Sequence, residues 1–314
     1  MKSQKARRIL SNTIIYIILG ISAVIWVLPI LWIVLQAFSG EVGSASEGHL
    51  IPRSFSFENF VLLFSTGAKP SWAGANYNSA HDAVHLWDPT NNIVMTGFSV
   101  WLINTLIIAV IVCVINTVFV LAVAYSLSRF RFKGRPMFMK LNLILGMFPG
   151  FLGMIINYNL MKYVFNLQGS IWALVILYSA GSGMGFFISK GFFDTVSKSI
   201  DEAAMIDGAN RAQIFWNIVL PLAKPTVVYT LLTSFMAPWG DYITSSYIIG
   251  LQNSENWTVA IGLYKWATDG INYKPSYYTR YAAGSVIIAL PLSALFLATQ
   301  RYYVGGVTGG AVKG

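Results

Sequence analysis

Six long apolar runs limit what this 314-residue chain can fold into. They cover about residues 12–38, 100–127, 141–165, 171–187, 226–249 and 281–300. Each is close to the roughly 20 residues that a helix needs to cross a bilayer. Charged residues make up only 11% of the sequence, whereas soluble domains carry about 25%. The pattern therefore predicts an all-α membrane protein with about six transmembrane helices.

Three of these runs are predicted to kink or break. Pro29 lies in the first run, Pro149 and Gly150 lie in the third, and the stretch from Pro238 to Asp241 lies in the fifth. Proline removes a backbone donor and clashes with the preceding turn, so neighbouring helices must accommodate the freed carbonyl groups. We expect a kink in the first run and breaks in the other two. No secretory cleavage site follows the first run, which indicates a retained span.

The positions of lysine and arginine predict how the chain crosses the membrane. Basic residues are dense in residues 1–11 and again from 129 to 140, and cytoplasmic loops carry such an excess. The stretch after the first run is rich in acidic residues instead. Both termini are therefore predicted to be cytoplasmic. The resulting divisions are a basic tail 1–11, a first span 12–38, an extracytoplasmic loop 39–99, a transmembrane core 100–300 that includes a second extracytoplasmic loop 250–279, and a cytoplasmic tail 301–314.

The most polar helix-like stretch between apolar runs covers residues 197–225. Ser199 or Asp201 can cap its start, and Asp201 and Glu202 fall in the first turn, where the helix dipole favours acids. Small side chains follow, and they predict a flat surface that a partner could approach closely. These residues are Ala203, Ala204 and Ala209.

The same stretch predicts a second short helix after a turn at Gly208. Its apolar residues recur on one helical face, and they are Ile214, Phe215, Ile218 and Val219. Pro221 and Pro225 are expected to stop it, because proline cannot continue a helix ladder.

This stretch resembles the EAA loop of bacterial ABC importer permeases, whose pattern is EAA, then DG, and later LP. The matching residues stand at the family spacing: Glu202, Ala203, Ala204, Asp207, Gly208, Ala209, Leu220 and Pro221. The ending from Gln300 and the stretch Ile188 to Val196 are similar to the smaller permease subunit of maltose-type importers. The resemblance is weakest from residue 40 to residue 98.

The resemblance implies a type I ABC importer permease in the bacterial inner membrane, with membrane lipid around it. It implies a second homologous permease, two ATPase subunits, an extracytoplasmic solute-binding protein and an oligosaccharide such as maltose or maltodextrin. ATP and magnesium would be bound by the ATPase, so this chain would hold no cofactor and would not be an enzyme. The EAA segment (residues 197–225) would receive force from the ATPase, with Glu202 pairing to a basic group there.

Two further contacts follow from the resemblance alone. The loop 250–279 would reach into the binding protein, with possible contacts from Trp257, Tyr264, Trp266 and Tyr273. An aromatic belt at the bilayer surface is the alternative. The tail 301–314 would insert between the two ATPase subunits, with a disordered overhang as the alternative. We expect this tail to leave the last helix, because it is polar and rich in glycine.

Other functional chemistry has weaker support in the sequence. No GxxxxGK[ST] nucleotide motif occurs, and the glycines from Gly181 to Gly185 are typical of close helix packing. His81 and His85 have the spacing of half a metal site, but the surrounding residues are typical of a loop, and we predict no metal. The net charge of +9 is concentrated beside the spans, which does not indicate nucleic acid.

Asp241 is the one acid that enters a predicted span. Acids inside a membrane usually face a cavity or a partner, so Asp241 could lie on a translocation path. It could also lie at the outer end of the span, where water reaches it. An ion-coupled secondary transporter is the alternative function, but it should show further charged residues within the spans. A membrane-embedded enzyme or scaffold should show clustered catalytic side chains instead.

Overall fold

The computed structural model describes residues 2–41, 51–65, 83–85, 94–181, 185–272 and 275–311. These residues are mostly helical, and the predicted all-α membrane fold is confirmed, apart from one two-stranded sheet formed by β1 (Ala83–His85) and β2 (Val94–Thr96). In that part of the chain, four helices are long and apolar enough to cross a bilayer, and the number is up to six if each of two bent helix pairs is counted as one span.

The four helices that pass as single spans cover Asn12–Ala37, Gly97–Arg129, Ile171–Thr195 and Tyr277–Gln300. The bent pairs are Arg135–Gly146 with Gly150–Val164, at 101°, and Arg211–Leu222 with Lys224–Gly240, at 87°. The first bend falls at the Pro149–Gly150 break that the sequence predicts. The second joins the end of the EAA segment to the fifth apolar run.

The chain divides into two compact units. The first unit comprises residues 1–83 and 263–289, and the second comprises residues 84–262 and 290–314. The first unit contains α1 (Lys2–Ala37) and α2 (Glu58–Phe64), and α1 continues through Pro29. Asn59 of α2 fixes the end of α1, because its Nδ2 donates to the carbonyl oxygens of Ala37 and Ser39 at 3.2 and 2.7 Å.

The second unit is built around α3 (Gly97–Arg129), which packs on α6 (Ile171–Ala180), α7 (Gly185–Thr195) and α11 (Lys224–Gly240). Beside them lie α4 (Arg135–Gly146) and α5 (Gly150–Asn159), and a π-helical turn (Leu160–Val164) extends α5. The core is apolar and continuous from α3 into the EAA segment. It includes Val120, Leu121, Ala124, Phe186, Phe193, Ile214 and Val219.

The C-terminal part of the chain is more helical than the sequence predicts. After α12 (Tyr242–Ile249) and a 3₁₀ turn (Ser254–Asn256) come α13 (Val259–Asn272) and α14 (Pro275–Ala311). The prediction that the tail leaves the last helix at Gln300 is wrong, because α14 runs on to Ala311. Glycine costs a helix only about 1 kcal/mol per residue, and no proline follows Pro291 to block the backbone ladder.

Candidate functional site

The first half of the EAA segment forms α8 (Lys198–Ile206). Its N-cap is Ser197, whose side chain accepts from the Ser199 amide at 3.4 Å, so the predicted caps at Ser199 and Asp201 are wrong. The helix ends at Gly208, which has a φ of +88°. Only glycine adopts this conformation without strain, and the turn is the one that the sequence predicts.

The second half begins with a capping box. Asn210 and Gln213 exchange hydrogen bonds between side chain and backbone at 2.8 and 2.9 Å. Helix α9 (Arg211–Ile214), a π-helical turn (Phe215–Val219) and α10 (Leu220–Leu222) follow without a gap. Pro221 lies within the last turn rather than stopping the helix before it, and Pro225 lies in the first turn of α11.

The EAA residues are divided between the surface and the core. Glu202, Ala203, Asp207, Gly208 and Pro221 are exposed. Leu220 and Ala209 are half-buried. The prediction that Ala204 presents a flat surface is wrong, because it is only 9% exposed and packs into the apolar core.

The structure adds one exposed residue to the predicted set. The side chain of Ile206, at the end of α8 beside Asp207, is 87% exposed. Sequence analysis passes over it because an isoleucine at helical spacing is usually a core residue. Its neighbours Ile200 and Met205 are also exposed, so the α8 surface is apolar as well as acidic.

A buried ion pair attaches α8 to α3. Nε of Arg129 lies 2.9 Å from Oδ2 of Asp201, and the two side chains are 2% and 7% exposed. Nη2 of Arg129 also donates to the carbonyl oxygen of Val196 at 3.0 Å. In the sequence, Arg129 belongs to a basic stretch that indicates orientation, and Asp201 is an acid in the first turn of a predicted helix. The two lie far apart in the sequence, and neither alone predicts their contact.

The second EAA helix also contacts the end of α3. The ring of Tyr125 packs against that of Phe215, with centroids 4.8 Å apart, and Tyr125 OH donates to the carbonyl oxygen of Arg211 at 3.5 Å. The Arg211 guanidinium lies 5.2 Å from the centroid of Phe130. The last turns of α3 therefore hold both halves of the EAA segment.

Asp241 lies at the break between α11 and α12 and is half-buried. Its Oδ1 accepts from the Thr244 amide at 2.9 Å, which caps α12. Its Oδ2 accepts from Tyr178 OH at 2.9 Å. The predicted interruption of the fifth run is therefore present, although α11 continues through Pro238 as far as Gly240.

The aromatic residues of the segment 250–279 are more buried than the sequence predicts. Trp257 and Trp266 are buried, so neither presents the surface expected of a partner contact. Tyr264 is exposed, and Tyr273 lies outside the described residues. An indole ring buries a large apolar area, and the rings of Trp257 and Trp266 are covered by other residues of this chain.

Three side chains on α3 hold the backbone of residues 254–259. Trp101 Nε1 donates to the carbonyl oxygen of Ser254 at 3.0 Å. Asn104 Nδ2 donates to the carbonyl oxygens of Glu255 and Trp257 at 2.8 and 3.0 Å, and Thr105 Oγ1 accepts from the Val259 amide at 2.8 Å. These residues lie inside an apolar run, so sequence analysis does not find them. The signal that could have identified them is the presence of polar side chains within an apolar run.

His81 and the side chain of His85 lie outside the described residues. Within the described part of the chain, no three His, Cys, Asp or Glu side chains are grouped so that they could hold a metal ion.

Comparison with known proteins decides the family. Residues 119–308 match the model of the binding-protein-dependent transport system inner membrane component. The chain belongs to this family. These permeases are transport components, so the prediction of a non-enzyme is confirmed, as is the resemblance to ABC importer permeases.

Relatives and solved structures agree with this assignment. The permease is 33% identical to the maltodextrin transport system permease protein MalD of Streptococcus pneumoniae over 99% of both chains. It is 30% identical to the galactooligosaccharides transport system permease protein GanQ of Bacillus subtilis over the full length of both. The fold matches a chain of a bacterial ABC transporter for alginate import, with a TM-score of 0.70 and 21% identity over 94% of this chain and 96% of that one.

Proposed function

We propose that this permease forms, with a second homologous permease, the membrane path for an oligosaccharide, and that a separate ATPase drives it through the EAA segment. The observation that carries the proposal is the exposed surface of the EAA helix pair. Glu202, Ala203, Ile206, Asp207 and Gly208 are all exposed there, while the opposite face joins the core. This chain would hold no cofactor, since ATP and magnesium would be bound by the ATPase.

The sugar class follows from the relatives. MalD is a maltodextrin permease and GanQ a galactooligosaccharide permease, so both transport short sugar chains. A maltodextrin is our first choice, because the relative with the higher identity of the two is a maltodextrin permease.

An extracytoplasmic binding protein is proposed to deliver the sugar. A bacterial alginate transporter that shares the fold has been solved in complex with a periplasmic protein bound to an alginate pentasaccharide. In this permease the exposed Tyr264 is the remaining described candidate for such a contact. The proposed orientation, with both termini cytoplasmic in the inner membrane, puts residues 250–279 on the side of the binding protein.

Asp241 and the tail complete the proposal. The half-buried carboxylate of Asp241 lies at a break in a membrane helix, and irregular backbone at membrane depth is tolerated where it lines a cavity or is buried in protein. We assign it to the translocation path. The tail from residue 301 would contact the two ATPase subunits, and α14 continues into this tail as far as Ala311.

Reconstitution into proteoliposomes tests the proposal. The permease is assembled with its second permease, ATPase and binding protein, and maltotriose uptake is measured together with ATP hydrolysis. Glu202→Lys and Gly208→Trp should lower the sugar moved per ATP, because the first reverses a surface charge and the second adds bulk at the proposed ATPase contact.

The matched control is Glu41→Lys, which makes the same charge reversal in the first unit, outside the EAA segment. It should leave the sugar moved per ATP unchanged. Wild-type values in both EAA variants would contradict the proposal that the ATPase acts through this segment.

A further inference from the structure

We infer that the Arg129–Asp201 ion pair is the joint that passes movement of the EAA helix pair to α3. This inference rests on the proposed function, since it assumes that an ATPase moves the EAA segment. Asp201 and Glu202 are adjacent residues on α8, and their side chains point in different directions. Glu202 is exposed, whereas Asp201 is buried against Arg129. A displacement imposed at the surface of α8 therefore reaches α3 through the very next residue.

The geometry of Arg129 suits a joint between three parts of the chain. The guanidinium extends from the last turn of α3, pairs with Asp201 on α8 and donates to the carbonyl oxygen of Val196 in the connection between α7 and α8. Arginine donors are held in a rigid planar fork. The side chain therefore fixes direction as well as distance between α3 and the start of the EAA segment.

Stability alone does not account for this pair. Burying two charges removes them from water, and a buried ion pair is often no more stabilising than apolar side chains of similar volume. Within the described residues, Nη1 of Arg129 and Oδ1 of Asp201 have no hydrogen-bond partner, so the desolvation is incompletely offset. A polar link that adds little stability fits a role in fixing the relative position of two helices.

The second half of the EAA segment packs on the same helix as the first. Ile214 and Val219 are fully buried in the core that also contains Tyr125 and Ala204. The Gly208 turn is closed by a hydrogen bond from the Ala209 amide to the carbonyl oxygen of Ala204, at 2.9 Å. Both helices therefore pack on the same turns of α3. Beside the apolar contacts and the Tyr125–Arg211 hydrogen bond, the ion pair supplies a contact between two charged side chains.

The test uses the assembled importer in proteoliposomes, with maltotriose as the transported sugar. Arg129→Gln and Asp201→Asn should each lower the sugar moved per ATP by about tenfold, a size typical of coupling between sites. ATPase subunits should still co-purify with both variants, because the exposed face of α8 is unchanged. If both variants move as much sugar per ATP as the wild type does, the inference is overturned.

Removing one partner could also prevent folding, since it leaves a buried charge unpaired. The double variant Arg129→Met/Asp201→Leu avoids this, because it keeps the volume and buries no charge. If it assembles and loses coupling, the ion pair is the joint. If it assembles and transports at the wild-type ratio, the pair serves packing only and the inference fails.

A second ion pair in the same unit supplies the control. Nζ of Lys190 and Oδ2 of Asp194 are 2.5 Å apart, and both residues lie on α7, so this ion pair joins no two helices. Asp194 Oδ1 separately accepts from Ser128 Oγ on α3 at 2.6 Å, and a change at Lys190 leaves both of those groups in place. Lys190→Gln should leave the sugar moved per ATP unchanged. The variants also separate this inference from the proposed function. If Glu202→Lys and Gly208→Trp uncouple the importer but the Arg129 and Asp201 variants do not, only the joint is wrong.

Discussion

The indole of Trp101 occupies the space that any side chain at Gly262 would need. A Cβ placed on Gly262 would overlap the six-membered ring of Trp101. The same ring lies 5.6 Å from that of Trp257, and its Nε1 donates to the carbonyl oxygen of Ser254. A glycine and a tryptophan that are far apart in the sequence thus fix how the backbone of residues 254–262 lies on α3.

Gly262→Ala should destabilise the permease by about 1–3 kcal/mol, because extra atoms in a packed site force their neighbours to move. Thermal unfolding in detergent measures the loss. The cost should be smaller in a Trp101→Phe background, because the smaller ring relieves the overlap. Gly191→Ala is the control, since a Cβ there meets nothing within 4 Å. It should be neutral or stabilising by up to about 1 kcal/mol. Equal effects at the two glycines would contradict the packing account.

Asn104→Leu should loosen residues 254–258. The substitution keeps the approximate volume of the side chain but leaves the carbonyl groups of Glu255 and Trp257 without their donor, which costs about 1–3 kcal/mol. Hydrogen exchange in this segment should become faster. Asn142→Leu is the control, because the Nδ2 of Asn142 donates to the carbonyl oxygen of Phe138 in its own helix. Unchanged exchange in the Asn104 variant would show that the apolar contacts suffice.

Substitutions at Gly208 can separate the effect of backbone strain on stability from the effect of side-chain size on partner docking. Because its φ is +88° and a Cβ there meets nothing within 4 Å, Gly208→Ala should cost about 1 kcal/mol through strain alone. Gly208→Asn should cost less, since asparagine tolerates this conformation. Thermal unfolding of the isolated permease measures the stabilities of the two variants and so tests this order. If asparagine restores stability but not transport, the surface at residue 208 must stay small for a partner.

Asp241 has a capping role that can be separated from a role in transport. Asp241→Ala removes the acceptor for the Thr244 amide and should cost about 1 kcal/mol in thermal unfolding. Asp241→Asn keeps an acceptor, so stability should be nearly unchanged, while maltotriose uptake falls because the charge is lost. Normal uptake by the asparagine variant would limit Asp241 to holding α12.

The tail gives a prediction that depends on its helical form. Deleting residues 305–314 should lower maltotriose uptake and weaken co-purification of the ATPase, with membrane insertion unchanged. Replacing Gly305, Gly306, Gly309 and Gly310 by alanine should preserve both activities, because alanine favours the helix that α14 continues. Loss of uptake in the alanine variant would indicate that the tail must turn, as its glycines alone suggest.

The sequence is sufficient for the spans and the EAA pattern, because hydropathy and proline position act locally. The helix pair, the Gly208 turn and the apolar face of Ile214 and Val219 all follow from short-range rules. The burial of tryptophan side chains within the loop 250–279 does not follow from such rules. Whether Trp257 faces a partner or Trp101 depends on contacts between distant parts of the chain. The Arg129–Asp201 pair escapes prediction for the same reason, since each residue has an ordinary local explanation.

Helix α3 is a single element of 33 residues, about 50 Å long at roughly 1.5 Å per residue. It contains no proline and, after Gly97, no glycine. One end holds residues 254–259 through Trp101, Asn104 and Thr105, and the other holds the EAA segment through Arg129. A rod without a hinge cannot tilt at one end alone. A tilt of α3 about its middle therefore displaces both attachments together, so that a displacement of the EAA segment at one end would be passed to residues 254–259 at the other.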